Sequence, residues 1–215
     1  QLKKMSIAEI KEKTDEALLF DAYREQETLL EEYSDNDNIG GLENVLYMCP
    51  HCSSEFTMQV KDRNTIYCTS CGFEQTSDKY AFLHNHKGIG RELRYVSDWS
   101  RHIFEKHREK LRENPDFSMS ARTRVYMLDY EKHKFKWVGL GTLRLFKDKF
   151  KLEGIVNGRE IDLSIPSLKI PTLPFKPGKY LELQHGKDIY RCELDDGKLV
   201  MKFINTLKAN FEIYN

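Results

Sequence analysis

Four cysteines stand in two pairs, Cys49-Pro50-His51-Cys52 and Cys68-Thr69-Ser70-Cys71, with 15 residues between the pairs. A two-residue gap lets one tight turn aim both sulfurs at a single point, and two such turns complete a tetrahedron. Gly72 follows the second pair and supplies the positive φ that such a turn demands. The spacing is that of a zinc ribbon, and four thiolates suit zinc ahead of iron. With every coordination position taken by protein, the expected site is closed and structural. Between the pairs, residues 55–60 and 64–67 predict two strands joined by Lys61, Asp62 and Arg63. A unit of about 35 residues cannot bury a sufficient core alone, so the metal substitutes for it.

Other roles for these cysteines fit the pattern less well. A redox C-x-x-C belongs at a helix start beside a parallel sheet, and these pairs flank a hairpin. His51 lies inside the first turn and is expected to point away from the ion. Cys192 falls in a predicted strand over residues 188–194 with no partner, which suits a small buried hydrophobe. Five cysteines in 215 residues are too sparse for a disulfide framework and fit a reducing, cytoplasmic compartment.

Lysine and arginine total 34 and acids total 34, so overall electrostatics exclude a basic nucleic-acid coat. The balance is local. Residues 1–40 hold 5 bases against 11 acids, whereas residues 121–215 hold 18 against 12. A hydrophobic content of 40% suits a folded chain. No apolar run approaches the roughly 20 residues of a membrane-spanning helix. No signal peptide is visible at Gln1, and the chain reads as a fragment.

The chain divides by pattern into four segments. Residues 1–40 predict a helix from about Ile7 to Tyr33, continuous or broken near Phe20 to Tyr23, opened by a capping box at Ser6 and Glu9 and followed by a linker at residues 34–38. Residues 41–83 form the zinc ribbon. Residues 84–120 are a connector whose helix is capped by Ser97 or Asp98 and carries Trp99, Ile103, His107 and Leu111 on one stripe. In residues 121–215, turn signals at Lys147-Asp148, Asn157-Gly158, Lys176-Pro177-Gly178 and His185-Gly186 separate about seven short strands. Leu199, Val200, Phe203, Ile204, Leu207 and Phe211 then recur at helical spacing. The expected class is α+β, ending in a small antiparallel pleckstrin-homology-like barrel closed by the C-terminal helix.

No catalytic constellation emerges. His84, His86, His102 and His107 lack convergent spacing with carboxylates and read as surface side chains. Gly88-Ile89-Gly90 has no third glycine and no preceding strand, and neither a nucleophile elbow nor H-E-x-x-H is present.

Residues 16–24, Glu-Ala-Leu-Leu-Phe-Asp-Ala-Tyr-Arg, and residues 41–52, Gly-Leu-Glu-Asn-Val-Leu-Tyr-Met-Cys-Pro-His-Cys, carry a resemblance that continues through Phe56, the second cysteine pair, Tyr80, Val96 to Trp99, residues 139–143 and Ile165-Pro166. Together they resemble the C-terminal extension of clostridial-type lysophospholipid (1-acylglycerol-3-phosphate) acyltransferases. The resemblance implies acyl transfer to a lysophospholipid hydroxyl at the cytoplasmic membrane face, through a His-x4-Asp motif and a Glu-Gly-Thr-Arg-like phosphate site. This chain has neither. Five positions beyond its histidines stand Phe56, Ile89, Arg91, His107, Arg112, Val138 and Tyr190, and Glu153-Gly154 continues into Ile155. The resemblance therefore implies a catalytic domain upstream of Gln1 and an accessory role for this region.

The leading expectation is a non-catalytic membrane-targeting or regulatory module. Arg144, Lys147, Lys149 and Lys151 cluster on one predicted hairpin, where Lys149 and Lys151 alternate with Phe150 and Leu152 and face solvent. They are the candidates for contact with an anionic lipid surface, or else simple guards of a sheet edge. The rival readings are a zinc-ribbon nucleic-acid module and a protein-interaction scaffold. Nucleic acid is disfavoured because residues 41–80 hold only Lys61, Arg63 and Lys79 against five acids.

Overall fold

The computed structural model describes residues 5–33 and 39–214. The linker expected over residues 34–38 lies outside them. At the start, Ser6 caps α1 (Ile7–Leu18) in a reciprocal box: its hydroxyl accepts the Glu9 amide at 3.2 Å, and the Glu9 carboxylate accepts the Ser6 amide at 2.7 Å. The helical stripe is broken after Leu18, because Asp21 starts a new helix, α2 (Ala22–Leu29), by accepting the Tyr23 and Arg24 amides. Leu30 ends it in the left-handed region at φ 49°. Helix α2 is pinned to the rest of the chain where Arg24 meets Asp98 at 2.7 Å and the Tyr33 amide donates to the Lys79 carbonyl at 2.9 Å.

The ribbon is a four-stranded antiparallel sheet of β1 (Met58–Lys61), β2 (Thr65–Cys68), β3 (Glu74–Ser77) and β4 (Leu83–His84), in that order. Two of these strands go beyond the predicted hairpin. The first predicted strand starts late because Ser53 and Phe56 sit at φ 57° and 63°, turn geometry that no strand adopts. Consecutive positive φ values at Asp62 and Arg63 then fold β1 onto β2. Leu46, Tyr47, Met48, Met58, Ile66, Phe73 and Leu83 form the ribbon's core, which α3 (Val96–Glu113) completes with Val96, Trp99 and Ile103.

Helix α3 begins one or two residues before either predicted cap. Its N-cap is Tyr95, with no side-chain bond. Asp98 is unavailable as a cap because its carboxylate serves Arg24 at 2.7 Å and Arg101 at 3.3 Å, and the Ser97 hydroxyl finds no partner among the described residues. The predicted stripe is buried throughout, His107 included, which corrects its reading as a surface side chain. Lying between Ile103 and Leu111 on one helical face, it goes wherever that face goes.

The remaining strands, β5 (Met119–Asp129), β6 (Lys134–Leu145), β7 (Lys149–Val156), β8 (Arg159–Pro166), β9 (Phe175–Lys176), β10 (Tyr180–His185) and β11 (Asp188–Leu194), form one antiparallel sheet ordered β8-β7-β6-β5-β11-β10-β9. Two meanders are thus joined where β5 pairs with β11. The expected barrel is not closed: β8 and β9 remain edges among the described residues. Between them, Pro166, Pro171 and Pro174 offer no amide to a ladder, and a 3-10 turn at Ser167–Lys169 carries the chain away. Helix α4 (Leu199–Tyr214) packs on one face of the sheet instead. Phe203 meets Phe150 edge-on at 5.8 Å amid Val125, Leu143, Leu152, Leu181 and Cys192. The molecule is therefore mixed α+β, with two antiparallel sheets and a C-terminal helix.

Ribbon and large sheet are clasped through α3 and α4. Asn205 on α4 donates to the Tyr47 hydroxyl at 3.4 Å, and that hydroxyl bonds His107 on α3. Glu55, beside the first cysteine turn, receives Lys110 of α3 and Lys202 of α4, each at 2.6 Å. Burial would raise the Glu55 carboxyl, but the two ammonium groups override it and hold it below its usual range.

Candidate metal centre

The sulfurs of Cys49, Cys52, Cys68 and Cys71 all lie within 4.8 Å of one another. Cys49 and Cys71 are 3.6 Å apart, and Cys52 and Cys68 are 3.8 Å apart. A tetrahedron built on Zn–S bonds of about 2.3 Å has edges of about 3.8 Å, so the donor set fits a single zinc-sized ion. Two copies of one backbone turn produce this convergence. In the first, the Ser53 amide donates to the Cys49 carbonyl at 2.9 Å and the Cys49 amide to the Ser54 carbonyl at 3.0 Å. In the second, Gly72 donates to Cys68 at 3.1 Å and Cys68 to Phe73 at 2.7 Å. Ser53 at φ 57° therefore occupies the place that Gly72 holds at φ 75°, although its side chain gave no sign of it in the sequence.

The thiols differ in environment. Burial raises Cys49, which is fully enclosed, and also Cys71. At Cys52 burial is outweighed by the hydroxyl and amide of Ser54, which lower the thiol to about 6. At Cys68 burial is likewise overcome by the Thr57 hydroxyl, 3.2 Å from the sulfur, and by the Cys71 and Ser70 amides. A bound dication would hold all four as thiolates and supply cross-links that replace core. Four protein ligands leave no position for substrate. Among the described residues no other group of three His, Cys, Asp or Glu side chains converges.

The histidines do other things. His51 is exposed and packs beside Gly90, away from the sulfurs. His84 bonds the Asp78 carboxylate at 2.7 Å and stacks on His86 with ring centroids 5.9 Å apart. His102 is partly buried, which lowers its pKa, and its Nε2 lacks a partner among the described residues. His107 is 2% exposed; burial, opposed by Glu55 and reinforced by Lys110 and Lys202, lowers it from 6.5 to about 4. Neutral histidine is therefore the folded form, and the unfolded chain takes the proton more readily. Stability from this group should be complete above pH 6.5 and fall as pH drops toward 4, by about 3 kcal/mol in all. Urea melts across that window test this, and His107→Gln, which keeps an acceptor for Tyr47, should flatten the slope. Cys192 is fully buried, which pushes its thiol up to about 12.

The four basic candidates on the β6–β7 hairpin are largely occupied. Arg144 bonds Glu153 at 2.9 Å, and Lys151 reaches Glu153 at 2.6 Å and Asp162 at 3.0 Å. Lys147 sits over the Tyr214 ring at 4.0 Å and Lys149 over Phe146 at 5.3 Å. Phe150 and Leu152 are buried between the lysines, as the alternation requires. A feature the sequence reading missed lies on the outer face of the same sheet. Trp137, Leu140 and Ile155 stand 59–61% exposed around a groove of about 790 Å³ floored by Gly139, Gly141 and Gly154. Strand register sets Gly141 directly against Gly154, and a Cβ on Gly154 would fall 2.3 Å from the Leu140 carbonyl. The glycines thus allow β6 and β7 to close up, and a Cβ on Gly141 would point at Leu152 and Val125 on the core side of the sheet, away from the groove.

No family model and no curated protein matches the chain. Among solved structures, the Ran-binding domain from the nuclear complex component Nup2 of Ashbya gossypii is similar over 43% of this chain and 91% of its own. The identity is 14% and the TM-score 0.32. So slight a likeness leaves function to be argued from geometry.

Proposed function

We propose that this region is a non-catalytic, metal-braced accessory module of an acyltransferase that acylates lysophospholipid of the lysophosphatidic acid type. Its zinc ribbon and pleckstrin-homology-like sheet serve as one rigid scaffold for an upstream catalytic domain working at the inner face of the membrane. The observation that carries the scaffold reading is the clasp: Tyr47 of the ribbon, His107 of α3 and Asn205 of α4 share one buried hydrogen-bond network, and Glu55 ties both helices to the ribbon. The enzyme class rests on the residues that resemble the acyltransferase extension. Direct membrane targeting draws less support, since Arg144 and Lys151 are neutralised by Glu153 and Asp162.

The test has three arms. Supplied with lysophosphatidic acid and an acyl donor, this chain should form no phosphatidic acid alone; turnover would overturn the non-catalytic assignment. In a polypeptide joining it to its catalytic domain, Cys68→Ser should shorten the thermal half-life of acyltransfer several-fold while leaving the initial rate per folded enzyme unchanged. An unchanged half-life would remove the scaffold reading. Pelleting with phosphatidic acid vesicles that Lys147→Glu and Lys149→Glu abolish would put membrane targeting in its place.

A further inference from the structure

On α3, Asp98, Arg101, His102 and Glu105 recur at three and four residues and share one face, turned away from the stripe that buries Trp99 and Ile103. That face lines a cavity of about 460 Å³. Arg24 of α2, Pro50 of the first cysteine turn, and Arg91 and Leu93 from the loop between β4 and α3 complete it. Three guanidinium groups thus converge on one cavity from three parts of the chain.

The carboxylates do not match them. Glu105 is occupied by Arg108 of its own helix, which donates to it at 3.0 and 3.2 Å. One oxygen of Asp98 serves both Arg24, at 2.7 Å, and Arg101, at 3.3 Å. Arg91 forms no ion pair among the described residues. A cavity lined by an excess of one charge concentrates the field on whatever enters it, and here that field draws an anion. Arg24 is already fixed: it lies over the Tyr95 ring at 4.6 Å and reaches Asp21 at 3.5 Å, so it loses little further freedom when a ligand arrives. A guanidinium is planar, keeps its proton and matches phosphate oxygens with its fork. Three of them suit a dianion with three terminal oxygens, whereas a carboxylate offers only two. The cavity is larger than a phosphate group, and Pro50 and Leu93 give it an apolar wall, which leaves room for an organic substituent.

We propose that this cavity binds a phosphate monoester, its terminal oxygens held by Arg24, Arg91 and Arg101 and its substituent set against Pro50 and Leu93. The assignment stands apart from the acyltransferase reading and would survive its failure. Isothermal titration calorimetry of the whole chain in phosphate-free buffer tests it, with inorganic phosphate and glycerol 3-phosphate as probes. Glycerol 3-phosphate should bind saturably and more tightly than inorganic phosphate. Arg91→Ala with Arg101→Ala should raise its dissociation constant at least about tenfold. Both side chains are exposed, so far-ultraviolet circular dichroism and melting temperature should hold steady. Arg122→Ala with Arg124→Ala removes the same charge from β5 and should leave the dissociation constant unchanged. Vesicles of phosphatidylcholine with and without phosphatidic acid then separate the two sources of the group. Competition by the phosphatidic acid vesicles alone assigns a lipid headgroup, and no competition by either assigns a soluble monoester. Absence of saturable binding, binding of inorganic phosphate alone, or equal loss in the two double variants overturns the proposal.

Discussion

Replacing Cys68 by serine will release the metal and unfold the ribbon, with a loss on the order of 10 kcal/mol of metal-binding free energy. Cys68 belongs to β2 and to the second turn at once, since its amide donates to Phe73 and its residue pairs with Met58. Losing its sulfur leaves three ligands and disconnects the turn from the strand. Native mass spectrometry should find one zinc in the wild type and none in the variant. Amide exchange at Ile66 and Tyr67 should accelerate to that of an open chain. Damage should also reach the large sheet, because Tyr47 and Glu55 hold α4 from the ribbon side. A variant with native exchange and native melting temperature would show that the cysteines are not structural ligands.

Trp99→Ala is the second large effect, at about 3–5 kcal/mol. The indole is fully buried, meets Phe73 edge-on at 5.6 Å and donates its Nε1 hydrogen to the Met48 carbonyl at 2.9 Å. Alanine removes the ring and leaves that carbonyl without its partner in a dry core. Met48 directly precedes Cys49, so the first turn loosens with it. Urea denaturation should show the loss, and zinc should transfer faster to a chromophoric chelator. Trp99→Phe should recover most of the packing but not the bond, retaining a deficit of about 1–3 kcal/mol. If Trp99→Ala changed stability while zinc transfer stayed at the wild-type rate, the link from helix α3 to the metal site would fail.

What was legible in the sequence was local. The cysteine turns are encoded by spacing within four residues, the large-sheet strands by turn residues between them, and α4 by a three-four apolar period. Pairing between distant strands has no such signature. Pro166, Pro171 and Pro174 stand in residues 159–176 for anyone to read, but that β8 and β9 stay apart appears only with the strand order and with α4 packed on the sheet's core face. Gly139, Gly141 and Gly154 were visible as residues, but their alignment across β6 and β7 appears only with the register. His107 is a different case: its signal was present in the stripe with Ile103 and Leu111, and residue type overrode position. Likewise, Asp98 has the chemistry of a cap, yet a partner 74 positions away claims its carboxylate.

The clasp has a consequence for the order in which the molecule comes into being. Glu55 waits for Lys202, 147 residues later, and Tyr47 waits for Asn205, 158 residues later. On the ribosome the cysteine turns emerge ahead of α4 and can take up their ion at once, but the face they offer to α4 stays bare until α4 has followed. Closure of that gap is an act of long-range docking, slow relative to the local hairpins. A polypeptide interrupted within α4 would therefore leave uncovered both the core face of the large sheet and the ribbon's Tyr47. The two patches would be exposed together, a conspicuous target for the cell's chaperones and proteases.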